Sequence, residues 1–188
     1  MDFKSIYHHS KDLVVLYVED DDLLRQSTVD AIEDYFASLD TAKNGKEALE
    51  KYQNYYKNNG LFYDLLITDI KMPVMNGIAL IQEIHKIHLK QYVIVISAYD
   101  ESDRQSELVD IGISNFLMKP LSSDKLRDTL YKSSKDINIH KLVLQHQKKI
   151  QETIILQKPS IVSQRDENKQ RKPMKKFKNY LLGLSKCF

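Results

Sequence analysis

The chain has 188 residues, of which 42% are hydrophobic and 29% charged, so it can bury one core of ordinary size and carry an appendage. No apolar run approaches the roughly 18 residues that span a bilayer, and the N-terminus lacks the apolar centre of a signal peptide, which predicts a cytoplasmic protein. The single cysteine, Cys187, excludes an internal disulfide.

Charge divides the chain near Ser134. Residues 1–134 carry 15 Lys+Arg and 22 Asp+Glu, which gives this part a net charge of −7. Residues 135–188 carry 13 Lys+Arg and 4 Asp+Glu, a net charge of +9, so the overall charge of +2 conceals two parts of opposite sign. An acidic segment suits cations, and a basic one suits an anionic partner or surface. We predict a globular domain at residues 1–134, a helical extension at 135–158 and a basic flexible tail at 159–188.

Short β-branched apolar runs alternate with stretches of helical period over residues 13–134. Strands are predicted near residues 13–18, 39–42, 64–68, 92–97 and 115–118. Helix starts are predicted at Asp20-Asp21-Asp22, Asn44-Gly45-Lys46-Glu47, Asn76-Gly77 and Ser122-Ser123-Asp124, and a helix from Asp100 is expected to end at Gly112. Single helices between strands predict an α/β fold with a five-stranded parallel, doubly wound sheet.

Polar side chains end four of the five predicted strands. Glu19 and Asp20 follow the first strand, Asp69 the third, Ser97 the fourth and Lys119 the fifth. The carboxyl ends of parallel strands meet at one edge of a sheet, so we expect these side chains to converge. Three convergent carboxylates bind either protons or a divalent cation, and an all-oxygen set favours Mg²⁺. An aspartate can also form an aspartyl phosphate, for which Lys119 and Ser97 are suitable neighbours.

Five separated motifs carry a family resemblance. In chain order they are Glu19-Asp20, Ala42-Lys43-Asn44-Gly45-Lys46-Glu47-Ala48-Leu49, Thr68-Asp69-Ile70-Lys71-Met72-Pro73-Val74-Met75-Asn76-Gly77, Ser97-Ala98 and Lys119-Pro120. With these motifs, residues 13–134 resemble the receiver domain of bacterial two-component response regulators. The resemblance implies a flavodoxin-like fold of the receiver type.

The resemblance also implies roles for the site residues. They are the phosphoacceptor Asp69, the Mg²⁺ ligands Glu19, Asp20, Asp69 and the backbone carbonyl of Lys71, the phosphoryl contacts Ser97 and Lys119, and the switch residue Phe116. The implied donor is a sensor histidine kinase or a histidine phosphotransfer protein. The chain is therefore expected to act as a switch in a phosphorelay, with at most self-catalysed phosphorylation and dephosphorylation.

Other interpretations stay open from the residues alone. A haloacid-dehalogenase-like phosphatase also uses an aspartyl phosphate and Mg²⁺, but Lys71 stands where such an enzyme needs a second aspartate. A receiver-like scaffold would bind partners without phosphorylation. Ser97 could be a turn cap, and Phe116 could be plain core. Asp21 and Asp22 are explained by the preference of a helix N-terminus for acidic residues.

The extension and the tail differ in pattern. Apolar residues recur at steps of three and four over 137–157, in the partial heptad stripe Ile139, Val143, His146, Ile150 and Ile154. This stripe predicts a helix that continues the domain, with pairing to a second copy as one outcome.

The tail combines basic and apolar residues at helical spacing over 174–186, which suits a partner groove, an anionic membrane surface or a frayed end. Residues 135–188 leave too little core for a DNA-binding domain, so output through protein interaction is expected.

Overall fold

The computed structural model describes residues 3–98 and 110–156. The helices are α1 Phe3–Ser10, α2 Asp22–Ile32, α3 Gly45–Asn59, α4 Gly77–Ile87 and α5 Ser123–Leu156, with a 3₁₀ turn at Glu33–Tyr35. The strands are β1 Val14–Val18, β2 Ser38–Ala42, β3 Leu65–Asp69, β4 Tyr92–Ser97 and β5 Asn115–Met118. The predicted tail and most of the helix expected between Asp100 and Gly112 lie outside the described residues. Gly112 itself has a φ of +82°, as a left-handed helix cap requires.

The five strands form one parallel sheet in the order β2-β1-β3-β4-β5. Alternate residues face opposite sides, so Leu16 and Val18 of β1 join a core with α3 and α4, whereas Val15 and Tyr17 join one with α1, α2 and α5. Both faces are buried, which explains the continuous apolar runs of β3 and β4. The predicted doubly wound α/β fold is confirmed.

Three helices begin at caps that their local sequences predict. The side chains of Asp21, Asn44 and Asn76 each accept the backbone N–H three residues later. Glu47 reaches back as expected, but its carboxylate accepts the N–H of Lys43 at 3.3 Å rather than that of the cap residue. These caps satisfy backbone donors that the first helical turn leaves unpaired.

The sequence pattern does not predict the N-terminal helix α1. It has only eight residues, so a buried apolar side chain such as Ile6 has no room to recur at helical spacing over several turns. The hydroxyl of Ser10 donates to the carbonyls of Ile6 at 2.9 Å and Tyr35 at 2.7 Å. The amide of Asn138 donates to the carbonyl of His9 at 2.6 Å, so α1 is held by tertiary contacts from both α5 and the 3₁₀ turn.

The stretch after β1 differs from the sequence expectation. The helical spacing predicts Tyr35 and Phe36 in one helix with Val29, but α2 ends at Ile32 and the 3₁₀ turn rotates both aromatic rings into the core. The helical spacing also includes Leu23, which lies in the first turn of α2 and is 85% exposed.

The last helix, α5, runs for 34 residues without a break, so the predicted boundary near Ser134 falls inside it. The division of the chain into a domain, an extension and a tail stays a prediction. The chain separates into two compact units, Met1–Gln147 and Lys148–Phe188. Within the first unit, Lys141 forms an ion pair with Asp64 at 2.6 Å, and Asp64 also accepts the N–H of Val14 at 2.9 Å.

Across residues 3–98 and 110–156, no helix combines the length and the apolar character that crossing a membrane requires. The long helix α5 carries charged residues along its length, which accounts for this result.

Gly77 provides a direct test of how the fold supports the edge of the sheet. Its N–H donates to the carbonyl of Ile70 at 2.9 Å, and a Cβ at this position would collide with the Asp69 carbonyl oxygen. We expect Gly77→Ala to lower the free energy of unfolding by roughly 2–4 kcal/mol, measured by urea denaturation. Gly60→Ala is the control, because Gly60 has a φ of +67° and a Cβ there would meet no atom within 4 Å, so this variant loses only about 1 kcal/mol. Equal losses in the two variants would contradict the proposed close approach.

Candidate functional site

The candidate site lies at the carboxyl edge of the sheet, where the strand register aligns the ends of neighbouring strands. Asp69 is the last residue of β3 and pairs with Ile96 of β4, so Ser97 ends the next strand one step further. The N–H of Lys119 donates to the carbonyl of Ser97 at 2.7 Å, and the N–H of Glu19 donates to that of Ala42 at 3.1 Å. Backbone hydrogen bonds therefore hold the residues that follow β1 and β5 against the adjacent strands.

Three carboxylates converge at this edge. Glu19, Asp20 and Asp69 each offer one oxygen, and these atoms all lie within 4.8 Å of one another. Glu19 is 1% exposed and Asp69 is 6% exposed, whereas Asp20 faces solvent. Because like charges repel strongly at these separations and burial weakens the screening by water, the cluster needs a cation.

Lys119 supplies one positive charge to the cluster. Its ammonium donates to Oε1 of Glu19 at 3.2 Å and lies 2.9 Å from Oε2, and it also forms a short ion pair with Oδ2 of Asp69. The side chain is 22% exposed, so the ammonium remains partly hydrated. One lysine against three acids leaves an excess of negative charge in the pocket.

The Asp69 carboxylate is held by the backbone as well as by Lys119. Its Oδ1 atom accepts the N–H of Ile70 at 2.6 Å and lies 3.4 Å from the N–H of Lys71. The hydroxyl of Thr68 donates to the Asp69 carbonyl at 2.8 Å. These contacts fix the orientation of the carboxylate at the mouth of the pocket.

Burial and pairing act in opposite directions on the titration of the site. Burial raises the pKa of Glu19 and outweighs the hydrogen bond and charge of Lys119, which lower it, while the Asp69 charge raises it further. For Lys119 burial alone would lower the pKa, but the hydrogen bonds and charges of Asp69 and Glu19 prevail and raise it. The lysine is therefore a firmly protonated counter-ion, whereas the buried glutamate is destabilised in its charged form.

The remaining predicted site residues occupy positions around this cluster. The Ser97 hydroxyl is fully buried and has no hydrogen-bond partner within residues 3–98 and 110–156. Phe116 lies in β5 and packs, half-buried, against the core that α3 and α4 cover. Lys71 is exposed in the loop after β3. The functional roles that the sequence assigns to these three residues stay predictions.

Two supporting residues were missed by sequence reasoning. The Arg25 guanidinium donates to the carbonyl of Glu19 at 2.7 Å and to that of Asp20 at 3.5 Å, and it pairs with Asp22. Tyr17 donates its hydroxyl to Glu19 at 3.4 Å. The strand alternation gives one usable signal, because residues 17 and 19 share a face of β1, whereas nothing in the pattern indicates the contact of Arg25 with the loop backbone.

The residues present fit a divalent cation. Carboxylate and carbonyl oxygens are the ligands that Mg²⁺ prefers, and the three acids leave negative charge that Lys119 does not balance. The buried Ser97 hydroxyl, which has no partner among the residues that the structure describes, also fits an added ligand, because a buried polar atom normally has a partner. A cation and an oxygen-rich anion would together complete the site.

Comparison with known proteins agrees with this geometry. The protein-family model of the response regulator receiver domain matches residues 15–131 of this chain. The chain belongs to the response regulator receiver family. The chemotaxis protein CheY of Thermotoga maritima is 35% identical over 122 residues, which cover 64% of this chain and 97% of that protein.

Solved structures support the same assignment. The N-terminal domain of a Wolinella succinogenes protein is 31% identical, covers 70% of this chain and 98% of its own, and superposes with a TM-score of 0.58. A chain from the CheX-CheY-BeF₃-Mg²⁺ complex of Borrelia burgdorferi is 30% identical, covers 64% and 87%, and has a TM-score of 0.56. Receiver domains are signalling modules in which phosphorylation of an aspartate and Mg²⁺ binding at an acidic pocket are characteristic. The predicted receiver identity and fold are confirmed.

The pKa shifts predict how the acidic cluster affects stability. Because the folded-state pKa of Glu19 is raised, the folded state binds its proton more readily, and stability contributed by that proton is lost as the pH rises through the folded pKa. In EDTA, Glu19→Gln should therefore be more stable than the wild type at pH 7.5, with a smaller difference at pH 5.

Glu47→Gln serves as the control, because the pKa of Glu47 is shifted in the opposite direction to that of Glu19. Burial alone would raise the pKa of Glu47, but hydrogen bonds from Lys51 and Lys43 lower it, so its charge stabilises the fold above the ordinary glutamate range. Glu47→Gln should lower stability slightly at pH 7.5. Urea denaturation measures the stability of both variants. A loss of stability in Glu19→Gln at pH 7.5 would contradict the claim that burial destabilises the charged form of Glu19.

Proposed function

We propose that this chain is a phosphorylation-dependent response regulator in which Asp69 accepts a phosphoryl group from a sensor histidine kinase or a histidine phosphotransfer protein in the cytoplasm. The observation that carries the proposal is the Lys119 ammonium shared between Asp69 and Glu19 beside the unpartnered Ser97 hydroxyl. This arrangement offers a nucleophile, a counter-charge and a free donor to one incoming group. The proposed Mg²⁺ ligands are the side chains of Glu19, Asp20 and Asp69 and the backbone carbonyl of Lys71.

The proposed transfer forms a bond between phosphorus and a carboxylate oxygen of Asp69 and breaks the phosphorus–nitrogen bond of a phosphohistidine. When bound, Mg²⁺ would offset negative charge on the transferring oxygens. Asp69 is oriented by the N–H groups of Ile70 and Lys71, so the chain itself positions the nucleophile. The Lys119 ammonium and the Ser97 hydroxyl would then contact the phosphoryl oxygens.

The same contacts give a mechanism for switching. Lys119 has one ammonium to share, so drawing it toward a phosphoryl group weakens its hydrogen bonds to Glu19. Lys119 and Ser97 are joined by a backbone hydrogen bond of 2.7 Å, so a shift of either is passed to the ends of β4 and β5. Phe116 lies in β5, and we propose that its rotamer changes with these strand ends.

Output is proposed to occur through protein interaction. Along α5, Ile139, Val143, Ile150 and Ile154 are each 47–59% exposed, and His146 is also exposed. Within the first unit, residues of α5 that contact the rest of the receiver domain include Leu126, Leu130, Ile137, Asn138 and Lys141. Ile139 and Val143 border a pocket beside Tyr92 and remain about half exposed, so a second copy could pack on them in coiled-coil fashion. The basic tail is a further candidate for partner or membrane-surface contact.

The two rival functions make different demands. A phosphatase of the haloacid-dehalogenase type needs an acid–base group two residues after its nucleophile, and the ammonium of Lys71 does not provide one. A phosphorylation-independent scaffold gains nothing from three repelling carboxylates, which lower the stability of a folded domain. The charged cluster therefore favours the phosphoacceptor function over both alternatives.

The phosphoacceptor is tested by Asp69→Asn. This variant keeps the size of the side chain but removes the nucleophilic carboxylate, so labelling by an acyl phosphate or by a phosphorylated histidine donor should fall at least 100-fold. Asp30→Asn is the matched control, because Asp30 is an exposed aspartate of α2 that accepts a hydrogen bond from Gln26. Phosphate-affinity gel electrophoresis with Mg²⁺ gives the readout. Undiminished labelling of Asp69→Asn would identify another acceptor.

The proposed pairing of α5 is tested by Val143→Asp. A carboxylate in the centre of an apolar helix–helix seam costs roughly 2 kcal/mol or more, so dimerisation measured by sedimentation velocity should weaken at least tenfold. Leu144→Asp is the matched control, because Leu144 is 51% exposed but lies about 100° away around the helix. Equal effects of the two substitutions, or a wild type that stays monomeric at high concentration, would exclude this interface.

A further inference from the structure

Tyr17 lies directly below the acidic cluster, on the face of the sheet that α2 and α5 help to cover. Its side chain is fully buried among apolar residues. A phenol hydroxyl in such surroundings needs a hydrogen-bond partner, because leaving it unpaired costs free energy. A phenylalanine would fill nearly the same volume without that requirement, so the hydroxyl calls for a specific explanation.

The hydroxyl of Tyr17 reaches the candidate metal site. It donates to Oε2 of Glu19 at 3.4 Å. Tyr17 lies in β1, and Glu19 is the residue that directly follows this strand. Because alternate residues of an extended chain face the same side, the backbone itself brings the phenol and the carboxylate together.

We propose that Tyr17 is a positioning residue that holds the Glu19 carboxylate in the orientation that binds Mg²⁺. The inference rests on the proposed function of the site. A glutamate has one more rotatable bond than an aspartate, so its carboxylate must be fixed before it can act as a preorganised ligand. Groups that donate to a metal-binding carboxylate from outside commonly determine its orientation.

The role of Tyr17 becomes larger when the site is phosphorylated. In the structure, Glu19 receives side-chain hydrogen bonds from Lys119 and from Tyr17. The proposed mechanism draws Lys119 toward the phosphoryl group. Of these two donors only Tyr17 then remains, and it keeps Glu19 in place while the phosphorylated state lasts.

The test is the affinity of the full-length chain for Mg²⁺, measured by isothermal titration calorimetry. Tyr17→Phe should weaken Mg²⁺ binding about tenfold, as loss of such an outer contact typically does. Labelling of Asp69 by an acyl phosphate should need more Mg²⁺ but reach the wild-type rate at saturation. In a Glu19→Asp background, where the shorter side chain draws the carboxylate away from the phenol, Tyr17→Phe should change the affinity less than twofold.

Tyr52→Phe is the matched control. Tyr52 is also fully buried, and its hydroxyl donates to Gln91 at 2.6 Å, far along the chain from the acidic cluster. This variant should lose stability in thermal unfolding but keep the wild-type affinity for Mg²⁺. Equal weakening in both variants would show that a general loss of stability, rather than positioning of Glu19, affects the metal.

The outcomes separate this inference from the proposed function. A wild type that binds no Mg²⁺ overturns the proposed function. A wild type that binds Mg²⁺, together with a folded Tyr17→Phe variant of equal affinity, overturns the role of Tyr17 alone. If Tyr17→Phe does not fold, Tyr17→Met replaces it, because methionine also lacks the hydroxyl and its flexible side chain adapts to irregular core space. It should weaken Mg²⁺ binding about tenfold, and unchanged affinity would contradict the inference.

Discussion

The shared ion pair of Lys119 with Glu19 and Asp69 is the interaction on which the rest of the site depends. It joins the end of β3 to the residues that directly follow β1 and β5, and it partly neutralises three acids that would otherwise repel one another. A parallel sheet makes this possible because its strands end at one edge. The remaining negative charge and the Ser97 hydroxyl, which has no hydrogen-bond partner in the described part of the chain, fit the cation and the oxygen-rich anion of the proposed function.

The buried acidic cluster lowers the stability of the folded domain, and the proposed function uses this cost to make the site respond to a bound ligand. Burial raises the pKa of Glu19, so the charged carboxylate is held at a free-energy cost that the rest of the domain offsets. The two apolar cores, the helix caps and the close contact of Gly77 with the backbone of β3 supply the necessary support. A ligand that offsets the repulsion would stabilise this site, and the proposed shift of population between two packings depends on that effect.

Local patterns account for what the sequence could predict. Strand ends, cap residues and the loop around Asp69 depend on neighbours in the chain, so the sheet, three helix starts and the convergence of Glu19 with Asp69 followed from them. The apolar stripe after residue 137 also predicted a helix that continues the domain, and α5 runs unbroken from Ser123 to Leu156. Helix α1 depends on tertiary contacts, so local patterns did not predict it. The contacts of Arg25 with loop carbonyls could not be predicted for the same reason, since no periodicity records a side chain that bonds the backbone.

The most direct test of the central claim is a crystal structure of the full chain with Mg²⁺ and beryllofluoride, which stands in for a phosphoryl group. The account predicts Mg²⁺ bound by Glu19, Asp20 and Asp69, the beryllium bonded to Asp69, and the Lys119 ammonium moved from Glu19 to a fluorine. The Ser97 hydroxyl should contact a second fluorine. A metal bound away from these acids, or a Lys119 that still bridges Glu19 and Asp69, would contradict it.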